Sequence, residues 1–154
     1  MHASLRSLVV CFLTLPVAAQ STAQPDPVRG LDDFRSRFGP NWTTHKDAIT
    51  GRAALIYGGI AQWPGMPRTD EEWMVRARLA VAASQSLHGV DVLTLASGRV
   101  QLLPLGIVGS GDKWAVELRQ EIEGFRVHGA TVNVLFDARG ALISIQSHAV
   151  TDLD

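Results

Sequence analysis

Hydrophobic positions fall at helical spacing in two stretches of this chain and alternate with polar ones in several others. From Val28 to Phe38 the positions Val28, Leu31, Phe34 and Phe38 share one helical face, and Gly39-Pro40 stops the pattern. A second, longer stripe is set by Trp73, Ala77, Ala80, Ser84 and Leu87. Thr69 stands before it with Glu72 three residues on, a capping box that satisfies two orphan amides of the first turn. Asp70 and Glu71 add negative charge at the positive helix end. Glu72 and Arg76 lie four apart on the outer face, and His88-Gly89 supplies a stop. The spacing therefore predicts a long helix over about 70–88.

Elsewhere the period is two. Asn41–Asp47 and Ala53–Tyr57, with the Thr50-Gly51 turn between them, predict a β-hairpin. Arg99 onward through Val108 predicts a strand. Trp114, Val116, Leu118, Gln120 and Ile122 form one face of the next, opposite Ala115, Glu117, Arg119, Glu121 and Glu123. Val132, Val134 and Phe136 alternate again. Asp137-Ala138-Arg139-Gly140 is a hairpin turn with Gly140 where positive φ is needed, and Ala141–Ile145 follows. One apolar and one charged face describe a sheet covered on one side only. The fold class is α+β: an antiparallel sheet, the 70–88 helix packed on the Trp114, Val116 and Leu118 face, and a short N-terminal helix and hairpin.

The first residues have a different character. Arg6 precedes an apolar run from Leu8 to Val17, too short to span a bilayer as a helix. Small residues before Ala19 and Ala23 give two cleavage sites, so residues 1–23 read as a secretory signal peptide, the competing reading being a buried N-terminal helix. The expected location is secreted, periplasmic or extracellular. Cleavage removes Cys11, the one cysteine, so the mature chain has no disulfide to brace it. It also removes Arg6 and no acid, moving the formal charge from -1 to -2. That charge excludes a polybasic nucleic-acid binder. No other stretch is apolar enough for a membrane span, so no membrane contact is expected after cleavage. The expected organisation is a spacer over 24–30, a domain over 31–150 and a tail or linker over 151–154.

Chemistry is sparse. There is no His-Glu-x-x-His motif, and Gly106–Gly111 has the wrong glycine order for a dinucleotide loop. His45, His88, His128 and His148 are not paired at ligand spacing. His88 reads as a helix-end residue favourable to the dipole, and the other three as strand or loop surface. Glu117, Glu121 and Glu123 read as a solvated face rather than an acid/base pair. No catalytic residue, metal site or cofactor is assigned, and the chain reads as a non-enzyme. Gln120 is the informative polar residue, because it sits on the apolar face and its amide must find partners. Those are either the loop that follows, at Gly124, or a ligand.

Gln120-x-x-x-Gly124-x-x-Val127-x-Gly129, followed by an alternating strand and the Asp137…Gly140 turn, resembles the propeptide domain (FTP-type) of secreted thermolysin-like and fungalysin-like metallopeptidases. Trp42…Asp47…Thr50-Gly51-Arg52 with Gly58-Gly59 is similar to that domain's first hairpin. Leu87-His88-Gly89-Val90 and Leu93-Thr94-Leu95 are similar to its middle. The similarity spans roughly residues 31–149. Arg126 stands where that family usually has proline before the valine. The resemblance implies a non-catalytic domain that inhibits a zinc peptidase and helps it fold. Its partner would be the metallopeptidase catalytic domain, in cis or in trans, met by contacts such as Phe125 and Arg126. The alternative is an extracellular binding or structural module that reuses the fold, as the N-terminal part of a longer secreted or surface protein.

Overall fold

A computed structural model of the chain describes residues 27–151. The expected signal peptide, residues 24–26 of the spacer and the last three residues lie outside that range. Helix α1 (Pro27–Phe38) begins on Pro27, whose fixed φ suits the first helical position. Residues 27–30, expected in the spacer, thus belong to the helix.

The hairpin of β1 (Thr43–Lys46) and β2 (Ala53–Tyr57) follows. Asp47 closes its turn, one carboxylate oxygen accepting from the amides of Ile49 (3.0 Å) and Thr50 (2.8 Å). Gly51 takes the left-handed φ of +68° that ends the turn. These hydrogen bonds, led by those from Thr50, hold the Asp47 carboxyl below its ordinary pKa.

The helix expected over 70–88 covers that span in two pieces, α2 (Asp70–Ala83) and α3 (Gln85–His88). Its start is as predicted, with both arms of the Thr69/Glu72 capping box in place. The break falls on Ser84, which is fully buried. Its hydroxyl lies 2.9 Å from the Ala80 carbonyl and 3.2 Å from that of Val81, a back-bond that competes with the helix ladder. The charges of Glu72 and Arg76 act on each other as expected, but the hydrogen bonds of both go to other partners. Glu72 turns back to accept from the amides of Arg68 and Thr69. Arg76 donates to the carbonyls of Pro64, Gly65 and Gly140, fastening the 64–65 loop to a distant turn.

Strand β3 (Leu95–Leu103) starts earlier and stops sooner than alternation predicts. Pro104 has no amide to continue a ladder. Gly106–Val108 is instead a single 3-10 turn, braced by Asp112 accepting from the Leu105 amide. β4 (Lys113–Ile122), β5 (Phe125–Asp137) and β6 (Leu142–Ser147) complete the molecule. All pairings are antiparallel, in the order β1-β2-β6-β5-β4-β3. The Asp137–Gly140 turn forms as expected: Asp137 accepts from the Arg139 and Ala141 amides, and Gly140 has φ +81°.

The core lies between the sheet and α2. Every member of the predicted stripe is buried, and Trp73 stacks on Trp114 with ring centroids 5.0 Å apart and tilts on Phe136 at 5.3 Å. Small Ala77 and Ala80 let the helix axis approach the sheet. A second aromatic group joins α1 to the hairpin. Phe34 meets Trp42 edge-on at 5.3 Å, and the buried Trp42 indole donates to the Phe38 carbonyl. A Cβ on Gly59 would stand 2.4 Å from that indole, so only glycine fits there. Among the described residues no helix is long and apolar enough to cross a membrane.

Candidate functional site

The expected site centres on Gln120 and the turn beyond it. Gln120 is fully buried on β4, opposite Leu95 of β3. Its amide is satisfied, but not by the loop that follows. The side-chain oxygen accepts from the Val150 amide at 2.8 Å. The side-chain nitrogen donates to the Val150 carbonyl at 2.8 Å and to the Thr94 hydroxyl at 3.2 Å. One side chain thus pairs with Val150 as a strand would, and also holds the turn before β3. The partner lies thirty residues away. A partner so distant along the chain leaves no local signal in the sequence.

The β4–β5 turn is tight. Glu123 (φ 52°) and Gly124 (φ 81°) are both left-handed between paired Ile122 and Phe125, a two-residue hairpin loop of the kind strand twist favours. Glu123 is the sole non-glycine residue with positive φ among the described ones. Farther along β5 the register slips. Arg119 faces Thr131 and Glu121 faces Arg126, so Val127–Ala130 bulge opposite Gln120. Gly129 supplies φ +75° within that bulge. Gln120, Gly124, Val127 and Gly129 therefore form one connected corner of the sheet. Phe125 projects from it with 78% of its surface exposed, and Arg126 is exposed beside it. Trp42, Gly51 and Gly140 lie elsewhere and serve the core and two other turns.

A second polar locus, around His88, differs from its reading in the sequence. His88 is 1% exposed. Its Nδ1 accepts from the Val90 amide at 2.9 Å, which obliges Nε2 to carry the proton and donate to the Val81 carbonyl at 3.1 Å. The Ser84 hydroxyl lies 3.0 Å from the same Nε2. Burial pushes the His88 pKa down to about 4; the hydrogen bond to Val81 opposes the shift and the charge of Arg52 adds to it. His88 is thus a neutral core residue and not the dipole-favoured cation expected. Gly89 has φ +71° and leaves room for the Arg52 guanidinium, which a Cβ would overlap.

His88 also touches a cleft of about 340 Å³ that it shares with Asp47, Arg52, Ser147 and His148. His148 bonds to the Gln146 amide nitrogen at 3.0 Å. Among the described residues no three acidic, histidine or cysteine side chains gather as a metal site would require. The glutamates of β4 sit on the open face, where Glu117 pairs with Arg119 at 2.9 Å. No family model, no curated protein and no solved structure matches this chain.

Proposed function

We propose that this chain is a non-catalytic, propeptide-like domain of an exported protein that inhibits a zinc metallopeptidase and assists its folding. The reading is carried by the corner around Gln120. The residues that carry the resemblance, from Gln120 to Gly129, lie together at the β4–β5 end of the sheet, and Gln120 holds the segment at Val150 against it. The two-residue turn at Glu123-Gly124 presents Phe125 and Arg126 on the surface of this corner. Such a surface acts by contact alone. When two partners are tethered, a weak contact suffices, since a short linker supplies an effective concentration on the order of millimolar.

The test is inhibition and refolding of a thermolysin-like peptidase with the purified domain added in trans. Saturable inhibition, and a higher yield of active enzyme from denaturant, are the results expected. A peptidase encoded with this domain that is neither inhibited nor aided would overturn the reading.

A further inference from the structure

The connection from β3 to β4 runs over residues 104–112, longer than the two to about five residues that join most hairpins. Residues 106–111 are all exposed. At the tip stand Ile107, 97% exposed, and Val108, 74% exposed. The loop is held only by its own hairpin. Val108 and Ser110 donate their amides to the Leu105 carbonyl, and Gly109 donates to that of Gly106. Asp112 accepts from the Leu105 amide, and Lys113 donates to the Gly111 carbonyl and the Ser110 hydroxyl. A Cβ built on Gly106 or Gly109 meets nothing within 4 Å, so the backbone on both sides of the apolar pair borders open space.

The other most exposed apolar side chains among the described residues sit on fastened backbone. Ile49, 94% exposed, lies in the turn that the Asp47 carboxylate closes. Asp91 holds the Leu93 amide, and Phe125 pairs with Ile122 in the ladder. Ile60 precedes Ala61, which exchanges backbone hydrogen bonds with Leu142. Opening 105–111 breaks hydrogen bonds local to one hairpin and uncovers no buried side chain. It therefore belongs to the least costly local openings of the molecule, and exposed loop tips of this kind are where chains are nicked.

We propose that the Gly106–Ile107 peptide bond is a processing site, cut by an endopeptidase whose pocket takes the Ile107 side chain. Gly106 has no side chain, so its carbonyl carbon is open to attack, whereas the next two carbonyls belong to β-branched residues that crowd them. Water adds across the bond. The Gly106 carbonyl carbon takes the hydroxyl and becomes a carboxylic acid, and the Ile107 nitrogen takes the proton and becomes an amine. The class of peptidase rests on the function proposed above; the choice of bond does not.

One cut here divides the fold. The first piece keeps α1, α2, α3 and the strands β1, β2 and β3, whereas β6, β5 and β4 form the middle of the sheet and belong to the second. The contacts of Trp73 with Trp114 and Phe136 then join two molecules. An intramolecular association becomes a bimolecular one and weakens on dilution. Cleavage at this bond is thus a means of ending whatever contact the domain makes.

The test incubates the purified chain with a small amount of a thermolysin-like peptidase and identifies the products by mass and amino-terminal sequence. The first cut within residues 27–151 is expected to give a product beginning at Ile107. The melting temperature of the nicked protein should fall on dilution, and that of the intact chain should not. Ile107→Asp should slow this cut by about tenfold or more with an unchanged melting temperature. Ile49→Asp, at a position as exposed but fastened, should leave the rate as it is. A first cut before Ile49, Leu93 or Phe125, or Ile107→Asp cut as fast as the parent, would overturn the proposal. Inhibition is read in the same samples. A chain cut at Ile107 that never inhibits the peptidase supports this site and counts against the function proposed above; a chain that inhibits but is first cut elsewhere does the reverse.

Discussion

Two buried polar side chains, Gln120 and His88, show how much one residue can determine. Gln120 makes three hydrogen bonds, which satisfy a side-chain amide that is itself shut from water. Gln120→Leu keeps the volume and abandons the Val150 amide and carbonyl, so stability should fall by about 1–3 kcal/mol. The Val150 amide should also lose its protection from hydrogen exchange, while core amides of β4 keep theirs. His88 makes a different claim, about pH. Its folded pKa of about 4 lies below the ordinary value of 6.5, so the unfolded chain binds the extra proton first. Stability from this group is complete above pH 6.5 and is lost as the pH falls toward 4, about 3 kcal/mol in all. Denaturant midpoints measured at steps from pH 7 to pH 5, where most carboxylates are still ionised, should decline. In His88→Gln that slope should flatten, whatever the variant's absolute stability. The physical origin is plain in the geometry: a proton on Nδ1 would face the Val90 N–H, donor against donor.

At the scale of elements, the packing of α2 is the firmest case. Ala80 is fully buried beneath the sheet. Ala80→Glu would bring a carboxylate into that interface with no partner, and the chain should fail to fold cooperatively. Leu87→Ala, at a buried site on α3, should cost about 2–5 kcal/mol and leave a cooperative transition. Denaturant titrations separate these outcomes. The stripe behind both predictions was legible because helical spacing depends on near neighbours alone, and the capping box and the Asp137–Gly140 turn were legible for the same reason. What local pattern could not supply was set across the fold. Ser84 sits on the stripe like any small residue, and only its burial reveals the break between α2 and α3. Arg76 feels the Glu72 charge as helical spacing implies, but its hydrogen bonds to the 64–65 loop depend on chain brought near by the fold. Pro104 was present in the sequence, and its missing amide was the signal that β3 had to end at Leu103.

Taken as a whole, the molecule places its core on one side of the sheet and its tightest turn at the corner built on Gln120. Phe125 is the large aromatic side chain left outside the core there, 78% exposed on a turn held by Glu123 and Gly124. Removing it should leave the hydrophobic interior intact, so a loss of function would not be a loss of fold. Phe125→Ala and Arg126→Ala are therefore expected to melt as the parent chain does and to inhibit a thermolysin-like peptidase less well. A contact residue of this kind commonly contributes about 1–2 kcal/mol or more to binding, so each change should raise the inhibition constant by roughly tenfold. Gln120→Leu provides the contrast. If the clamp serves only to hold the Val150 segment and the turn before β3, its inhibition per folded molecule should match the parent while its stability does not. Inhibition constants measured beside melting curves for all four proteins distinguish the two roles. Equal inhibition by parent, Phe125→Ala and Arg126→Ala at equal stability would take this corner out of the interface. Weakening confined to the two surface variants would make it the contact through which the domain acts.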